Sequence, residues 1–187
     1  MASFDLQPTL ETEEYIILPV SLHDFEQLYE VASDPEIWEQ HPNKDRWKRD
    51  VFKVFFEGAI QSRGAFKIID KVSQKIIGST RIYDYNPNDS SILMGYTFYA
   101  KRYWGTGVNH KVKSFFFDYL FQYVNTVILH IGASNIRSQI SIQRLSAEKI
   151  GEIEVAYYGE GIKQNFIYQI DKINWKKKAD FLKKPTF

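Results

Sequence analysis

The chain has 187 residues, with 24 basic and 23 acidic side chains and a net charge of +1, so no charge excess calls for nucleic acid or an anionic membrane surface. Zero cysteines exclude disulfides, thiolate metal sites and a cysteine nucleophile. The length suits one domain over 1–187, and 14 Phe, 12 Tyr and 4 Trp are enough to fill a core and line a cleft.

The opening Met1-Ala2-Ser3-Phe4-Asp5 has no basic or apolar leader pattern, and no apolar run approaches the roughly 20 residues of a membrane span. A soluble, cytoplasmic protein with no membrane partner is expected. Tyr15 to Leu18 reads as a strand ended at Pro19, and Ser21 with Asp24 is a helix-start signal. Leu22, Phe25, Leu28, Tyr29 and Ala32 follow helical spacing until Asp34-Pro35. A loop from Pro35 to Arg46 carries Trp38, His41 and Pro42, and a second helix places Trp47, Val51, Val54, Phe55 and Gly58 on one face.

From Gly64 the period becomes two. Strands are expected at Ala65 to Asp70, Ile76 to Tyr85 and Ile92 to Tyr99, with the Asn86-Pro87-Asn88-Asp89 turn before the last. That last strand is apolar on both faces and is therefore central. After Arg102-Tyr103-Trp104-Gly105-Thr106-Gly107, helical spacing runs from Val108 to Tyr123. A short apolar strand (Thr126 to Ile131), a helix from Asn135 to about Leu145, and a hairpin of Glu152–Tyr158 and Lys163–Asp171 around Gly159-Glu160-Gly161 complete the fold. A short basic helix with Trp175, Lys176 to Lys178, Phe181 and Leu182 ends the chain. The order predicts an α/β (α+β) domain whose mixed, mostly antiparallel sheet has about seven strands, flanked by about four helices.

The glycine stretch is the strongest chemical signal. Two glycines in three residues permit a tight turn with bare N–H groups, and the helix from Val108 aims its unpaired N–H groups and positive dipole end at the same point. Such a loop can hold phosphate, or serve as an ordinary tight connection. It is not a dinucleotide fingerprint, because His110 stands where the third glycine belongs, and no Walker A pattern occurs. The four histidines, His23, His41, His110 and His130, lack ligand spacing, so no metal is expected.

Arg102-x-x-Gly105-x-Gly107 after an apolar strand resembles the acetyl-CoA pyrophosphate loop of the GNAT N-acetyltransferase superfamily. The longer string from Gly95-Tyr96-Thr97-Phe98 to Gly107-Val108-Asn109 resembles its RimJ/RimL-type branch, which acetylates protein N-termini and related amines. Asn135-Ile136-Arg137-Ser138 and Ile142-Gln143-Arg144-Leu145 resemble that branch's Asn-x-x-Ser helix start and Lys-Leu-Gly close. Leu10 to Pro19 with Asp24, and Glu160-Gly161 to Trp175, resemble its two ends.

The resemblance implies a single GNAT domain that transfers acetyl from acetyl-CoA to a primary amine in a ternary complex, a protein N-terminal α-amine among the candidates. It places the cofactor on Phe98, Tyr99, Ala100, Arg102, Trp104, Gly105, Thr106, Gly107 and Val108, with Asn135 on the pantetheine arm and Ser138 near the thiol, and it implies a catalytic part for both Asn135 and Ser138. Read without the resemblance, Asn135 and Ser138 are favoured helix caps. Trp38, His41, Tyr83 and Tyr96 are the candidate acceptor-binding set, with Tyr85 and Trp104 beside them; each is equally compatible with the core.

Two residues depart from the pattern. Ser146 replaces a glycine at a helix end, and Leu93 stands where many relatives carry the glutamate that activates the amine. Without that base the amine must arrive neutral, which favours an α-amine: with a pKa near 8 about a tenth is neutral at pH 7, against well under a thousandth for lysine. His41 and Glu39 are the first alternatives as base. A CoA-binding module with weak or no transfer is the second reading, and a nucleic-acid role for the basic tail a distant third. A monomer or a homodimer is expected.

Overall fold

The computed structural model describes residues 4–182. Eight strands, β1 (Leu10–Glu11), β2 (Tyr15–Pro19), β3 (Ala65–Asp70), β4 (Lys75–Asn86), β5 (Ser91–Tyr99), β6 (Thr126–Gly132), β7 (Glu148–Val155) and β8 (Lys163–Asp171), form one sheet in the order β1-β2-β3-β4-β5-β6-β8-β7. Five helices flank it: α1 (Phe25–Ala32), α2 (Arg49–Ser62), α3 (Val108–Leu120), α4 (Ile136–Gln143) and α5 (Lys172–Leu182). The eighth strand beyond the expected seven is the two-residue β1, too short to show a period. β7 begins at Glu148 rather than Glu152 and ends at Val155; it is a charged edge strand, with Gly151 at a register shift against β8. α3 stops at Leu120, although Phe121 and Val124 stay buried past its end and prolong the apolar spacing. The expected basic tail helix is α5; its side chains from Lys178 on, like Met1–Ser3, lie outside the described residues.

The hydrophobic pattern produces three layers. Val112, Phe116, Phe117 and Leu120 recur on one side of α3 and pack with Ile17, Phe66, Ile68, Ile82, Ile92 and Met94 of the sheet; Ile142 and Leu145 join the same cluster. On the opposite face Leu28 and Ala32 of α1 and Phe52, Phe55, Phe56 and Ala59 of α2 pack with Ala65, Ile76 and Phe98. Asp24 fixes the entry to α1: its carboxylate accepts from the Ser21 N–H at 2.7 Å and from Lys67 Nζ at 2.6 Å.

Every strand pair is antiparallel except β5 and β6. That one parallel pair joins strands whose following helices, α3 and α4, start at neighbouring carboxyl ends. Crevices at the carboxyl ends of parallel strands are where ligands bind in α/β sheets.

Candidate active site

β5 and β6 pair only at Ser91–Thr126, Ile92–Val127 and Leu93–Ile128. Beyond Leu93 they part. β5 stays with β4 as far as the Gly78–Tyr99 pair, while β6 stays with β8 to Gly132. Leu93 is thus the vertex of a V that opens toward the starts of α3 and α4. β5 also bulges against β4: the register shifts between Ser79 and Arg81, and Tyr96 takes a left-handed backbone at φ 54. An extra residue in one strand re-aims side chains and bends the strand. Thr97 braces the bulge, its hydroxyl 2.9 Å from that of Thr80 and accepting from the buried Lys113 Nζ at 3.1 Å.

At the mouth of the V lies the glycine loop. Gly105 and Gly107 have φ 74 and 87, and a Cβ built on either meets nothing within 4 Å. The loop therefore faces open space, and the N-cap of α3, Gly107, has no side chain with which to cap the helix. Both observations fit a bound pyrophosphate, which takes backbone N–H groups at a helix start. The N–H groups of Trp104 and Thr106 turn back to the carbonyls of Lys101 (3.0 Å) and Tyr103 (3.4 Å), so neither is offered to a ligand. The Ala100 N–H is likewise taken, by the Ile77 carbonyl at 2.8 Å. Phe98 and Tyr99 bury their rings in the two cores, leaving only their backbone to a ligand. Arg102 is exposed and lies over Tyr103. Trp104 Nε1 donates to the Tyr99 carbonyl at 3.2 Å.

The other arm of the V ends in α4. Asn135 Oδ1 accepts from the Ser138 N–H at 3.1 Å, which is capping geometry. That bond occupies one oxygen and leaves the carboxamide nitrogen as a further donor. Asn109 Nδ2 donates to Ser141 Oγ at 2.7 Å, tying α3 to α4. Arg137 reaches across the mouth to lie 4.3 Å from the Trp104 ring centroid.

Arg81, Tyr83, Leu93, Gly95, Ile128 and His130 share the α2 face of the sheet by register. Over them sits a polar cluster that the sequence reading did not assemble. Arg46, 2% exposed, donates through Nε to Glu160 Oε1 at 2.8 Å and pairs with it again through Nη2, linking the Pro35–Arg46 loop to the β7–β8 turn. Its Nη1 contacts His41 Nε2 at 3.1 Å. A guanidinium only donates, so Nε2 accepts from Arg46, while Nδ1 faces both the Asn43 N–H (3.0 Å) and the Asn43 carbonyl (3.2 Å). Burial and Arg46 hold the His41 pKa well below its ordinary value. His41 is neutral, but its lone pair is spent on Arg46 and is not a free base.

Arg81 lies 4.0 Å from the Tyr96 ring centroid, and Tyr96 stacks edge-on with Tyr83 (5.3 Å) and Tyr157 (5.6 Å). His130 Nδ1 is 3.0 Å from the Tyr157 hydroxyl, and burial lowers the His130 pKa. Trp38 is 2% exposed, its Nε1 donating to the Ala32 carbonyl at 2.7 Å; it walls the cluster from within the core. Of the four predicted acceptor residues, Trp38, His41 and Tyr96 surround Arg46, and Tyr83 joins through Tyr96. Tyr85 is elsewhere, against Phe4, and Glu39 is exposed. A pocket of about 360 Å³ opens between the Pro42–Asp45 and Gly159–Gly161 turns beside Glu160. Among the described residues no group of three or more His, Asp or Glu could hold a metal ion, and no helix is long and apolar enough to cross a membrane.

The family model described as an acetyltransferase (GNAT) domain matches residues 15–148, and the chain belongs to that family. No curated protein sequence matches it. Among solved structures it is similar to a GCN5-related N-acetyltransferase from Brucella melitensis (TM-score 0.78, 15% identity, 91% of this chain and 81% of that one). It is also similar to a ribosomal-protein-S5-alanine acetyltransferase from Vibrio fischeri (0.66, 16%, 90% and 98%). A third is the spermidine N-acetyltransferase from Vibrio cholerae in complex with CoA and spermine (0.67, 14%, 88% and 99%). At these identities the likeness establishes the fold. GNAT enzymes use acetyl-CoA, which the open glycine loop at the start of α3 fits.

Proposed function

We propose that the protein is an acetyl-CoA-dependent N-acetyltransferase acting on a primary amine, of which a protein or peptide N-terminal α-amine is one case, by direct transfer with both substrates bound. The observation that carries the reading is the V between β5 and β6, with a phosphate-ready loop at its mouth and a titratable pair, His130 and Tyr157, on one wall.

Bound acetyl-CoA supplies an electrophilic thioester carbonyl. The glycine loop and the first turn of α3 hold the pyrophosphate, and Asn135 offers its carboxamide nitrogen to the pantetheine arm. Beyond Leu93 the side of β5 that faces β6 has no strand partner, so its backbone can donate to a developing oxyanion. Ser138 hydrogen-bonds the departing sulfur; a serine hydroxyl is too weak an acid for more.

His130 supplies the base that Leu93 does not. The Leu93–Ile128 register puts His130 across the V from Gly95, on the acceptor face. With Nδ1–H donating to Tyr157, Nε2 carries the lone pair that takes the amine proton. Burial keeps the imidazole neutral at pH 7. This reading replaces the requirement that the amine arrive neutral.

Initial-rate kinetics test direct transfer. Varying acetyl-CoA and amine together should give intersecting double-reciprocal lines, since no cysteine is available to carry acetyl. Parallel lines, or an acetylated enzyme trapped without acceptor, would overturn it.

A further inference from the structure

The acceptor face buries two guanidiniums and one carboxylate. Arg46 takes Glu160. Arg81, 5% exposed, has a single weak hydrogen bond, Nη2 to the Phe55 carbonyl at 3.3 Å, and its buried Nε has no partner. No carboxylate among the described residues forms an ion pair with it; Asp84, three positions along β4, stands in solvent. Tyr96 and Phe55, at 4.0 and 5.4 Å from Cζ, offer it only ring faces. His41 and His130 are neutral, so the buried groups of the cluster carry one positive charge in excess; the exposed Asp84 carboxylate acts on Tyr83, Tyr96 and His130 and forms no ion pair with Arg81. Buried charges are ordinarily paired, and an N–H buried without an acceptor forfeits the water it gave up.

The position of that charge is specific. Arg81 pairs in register with Gly95, two residues beyond the vertex at Leu93, and shares the face of Tyr83 and His130. The acceptor side of the V is thus walled at Gly95 by the strand pair that carries Arg81. Resting on the transferase reading above, we infer that the acceptor is an amine that also bears a carboxylate, which pairs with Arg81 while the amine faces His130. A polyamine, all cation, is disfavoured by the same charges. The carboxylate has two possible sources: the α-carboxyl of a free amino acid, or the acidic side chain of a peptide that begins with Asp or Glu.

The experiment compares acceptors of equal size on the full chain with acetyl-CoA: free amino acids against their amides, peptides beginning with Asp or Glu against those beginning with Asn or Gln, and spermidine. The carboxylate form should exceed its amide in kcat/KM by roughly 10- to 100-fold, the range of a charge-assisted hydrogen bond. Whichever pair shows the preference identifies the source. Arg81→Gln should raise KM for the preferred acceptor and shrink the ratio toward one. A readout that needs no variant is the Arg81 Nε–H resonance, which should move on adding the acetylated product with CoA and stay still with the product's amide. Turnover of amines with equal rates for acid and amide would overturn this inference and leave the transferase reading standing. Turnover of no amine would overturn the transferase reading itself. A resonance indifferent to the carboxylate would show that Arg81 is held by Tyr96 and Phe55 alone, and the inference would fall.

Discussion

The hydroxyl of Tyr157 meets His130 Nδ1 at 3.0 Å, joining the turn after β7 to the strand that forms one wall of the V. Burial raises the Tyr157 pKa and lowers that of His130, so at neutral pH the pair is a phenol and a neutral imidazole. On the wild type, kcat/KM should rise through a free-enzyme group below 6.5 and level off well before the amine's own pKa. His130→Gln should cut kcat by about 100-fold, within the range of lost general-base catalysis, and move the rise up to the amine pKa. A pH–rate profile on both proteins checks this; an unchanged profile in the variant would return the base to the amine itself.

Gly107→Val should abolish tight acetyl-CoA binding while sparing the fold. The added side chain meets no protein atom within 4 Å of its Cβ, so it occupies ligand space, and φ 87 adds strain of about 1–2 kcal/mol. Calorimetry should show affinity down by roughly 100-fold, with the thermal transition kept. Unchanged affinity in the folded variant would move the pyrophosphate elsewhere.

Lys113 is buried with the Thr97 hydroxyl as its hydrogen-bond partner, and burial pushes its pKa down to about 8 from 10.5. Between those values the unfolded chain holds the proton more tightly than the folded one, so stability climbs as pH rises from about 8 to 10.5. Below pH 8 both states are protonated and the penalty is complete, roughly 3 kcal/mol. Lys113→Met should therefore be more stable than wild type at pH 7, and the gap should narrow above pH 8. Urea unfolding at pH 7 and 9.5 measures it; a constant gap would mean that an anionic group offsets the buried ammonium.

Ser146 stands where the family pattern has glycine, and its φ is 67. Ser146→Gly should stabilise by about 1 kcal/mol, because glycine accepts that backbone without a Cβ clash. Ser146→Ala should not. Equal transition temperatures for the glycine and alanine variants would show the left-handed turn to be unstrained.

What the sequence disclosed depended on whether a signal was local. The glycine pair, the helix from Val108 and the Asn135 cap are short-range patterns, and the residues stand as their spacing suggests. Ser146 was legible for the same reason, as a local exception. The V was less so: nothing in Ser91 to Tyr99 says that β6 leaves β5 after Leu93, since that depends on β6 pairing with β8 and on a bulge at a non-glycine residue, Tyr96. The Arg46–Glu160 link joins residues far apart in the chain and had no sequence signature. Arg81 and His130 did carry one, each a polar residue inside an apolar strand, but neither showed which face it would take until register fixed it.

The central claim is acetyl transfer to an amine, and product stoichiometry tests it most directly. Purified protein, acetyl-CoA and a panel of peptides, amino acids and small amines are mixed, and free thiol and acetylated amine are both quantified by mass spectrometry. The account predicts one acetylated acceptor per CoA released, faster than the uncatalysed rate, with no acetyl left on the protein. Tight acetyl-CoA binding with no acceptor acetylated across the panel would contradict it and leave a CoA-binding module.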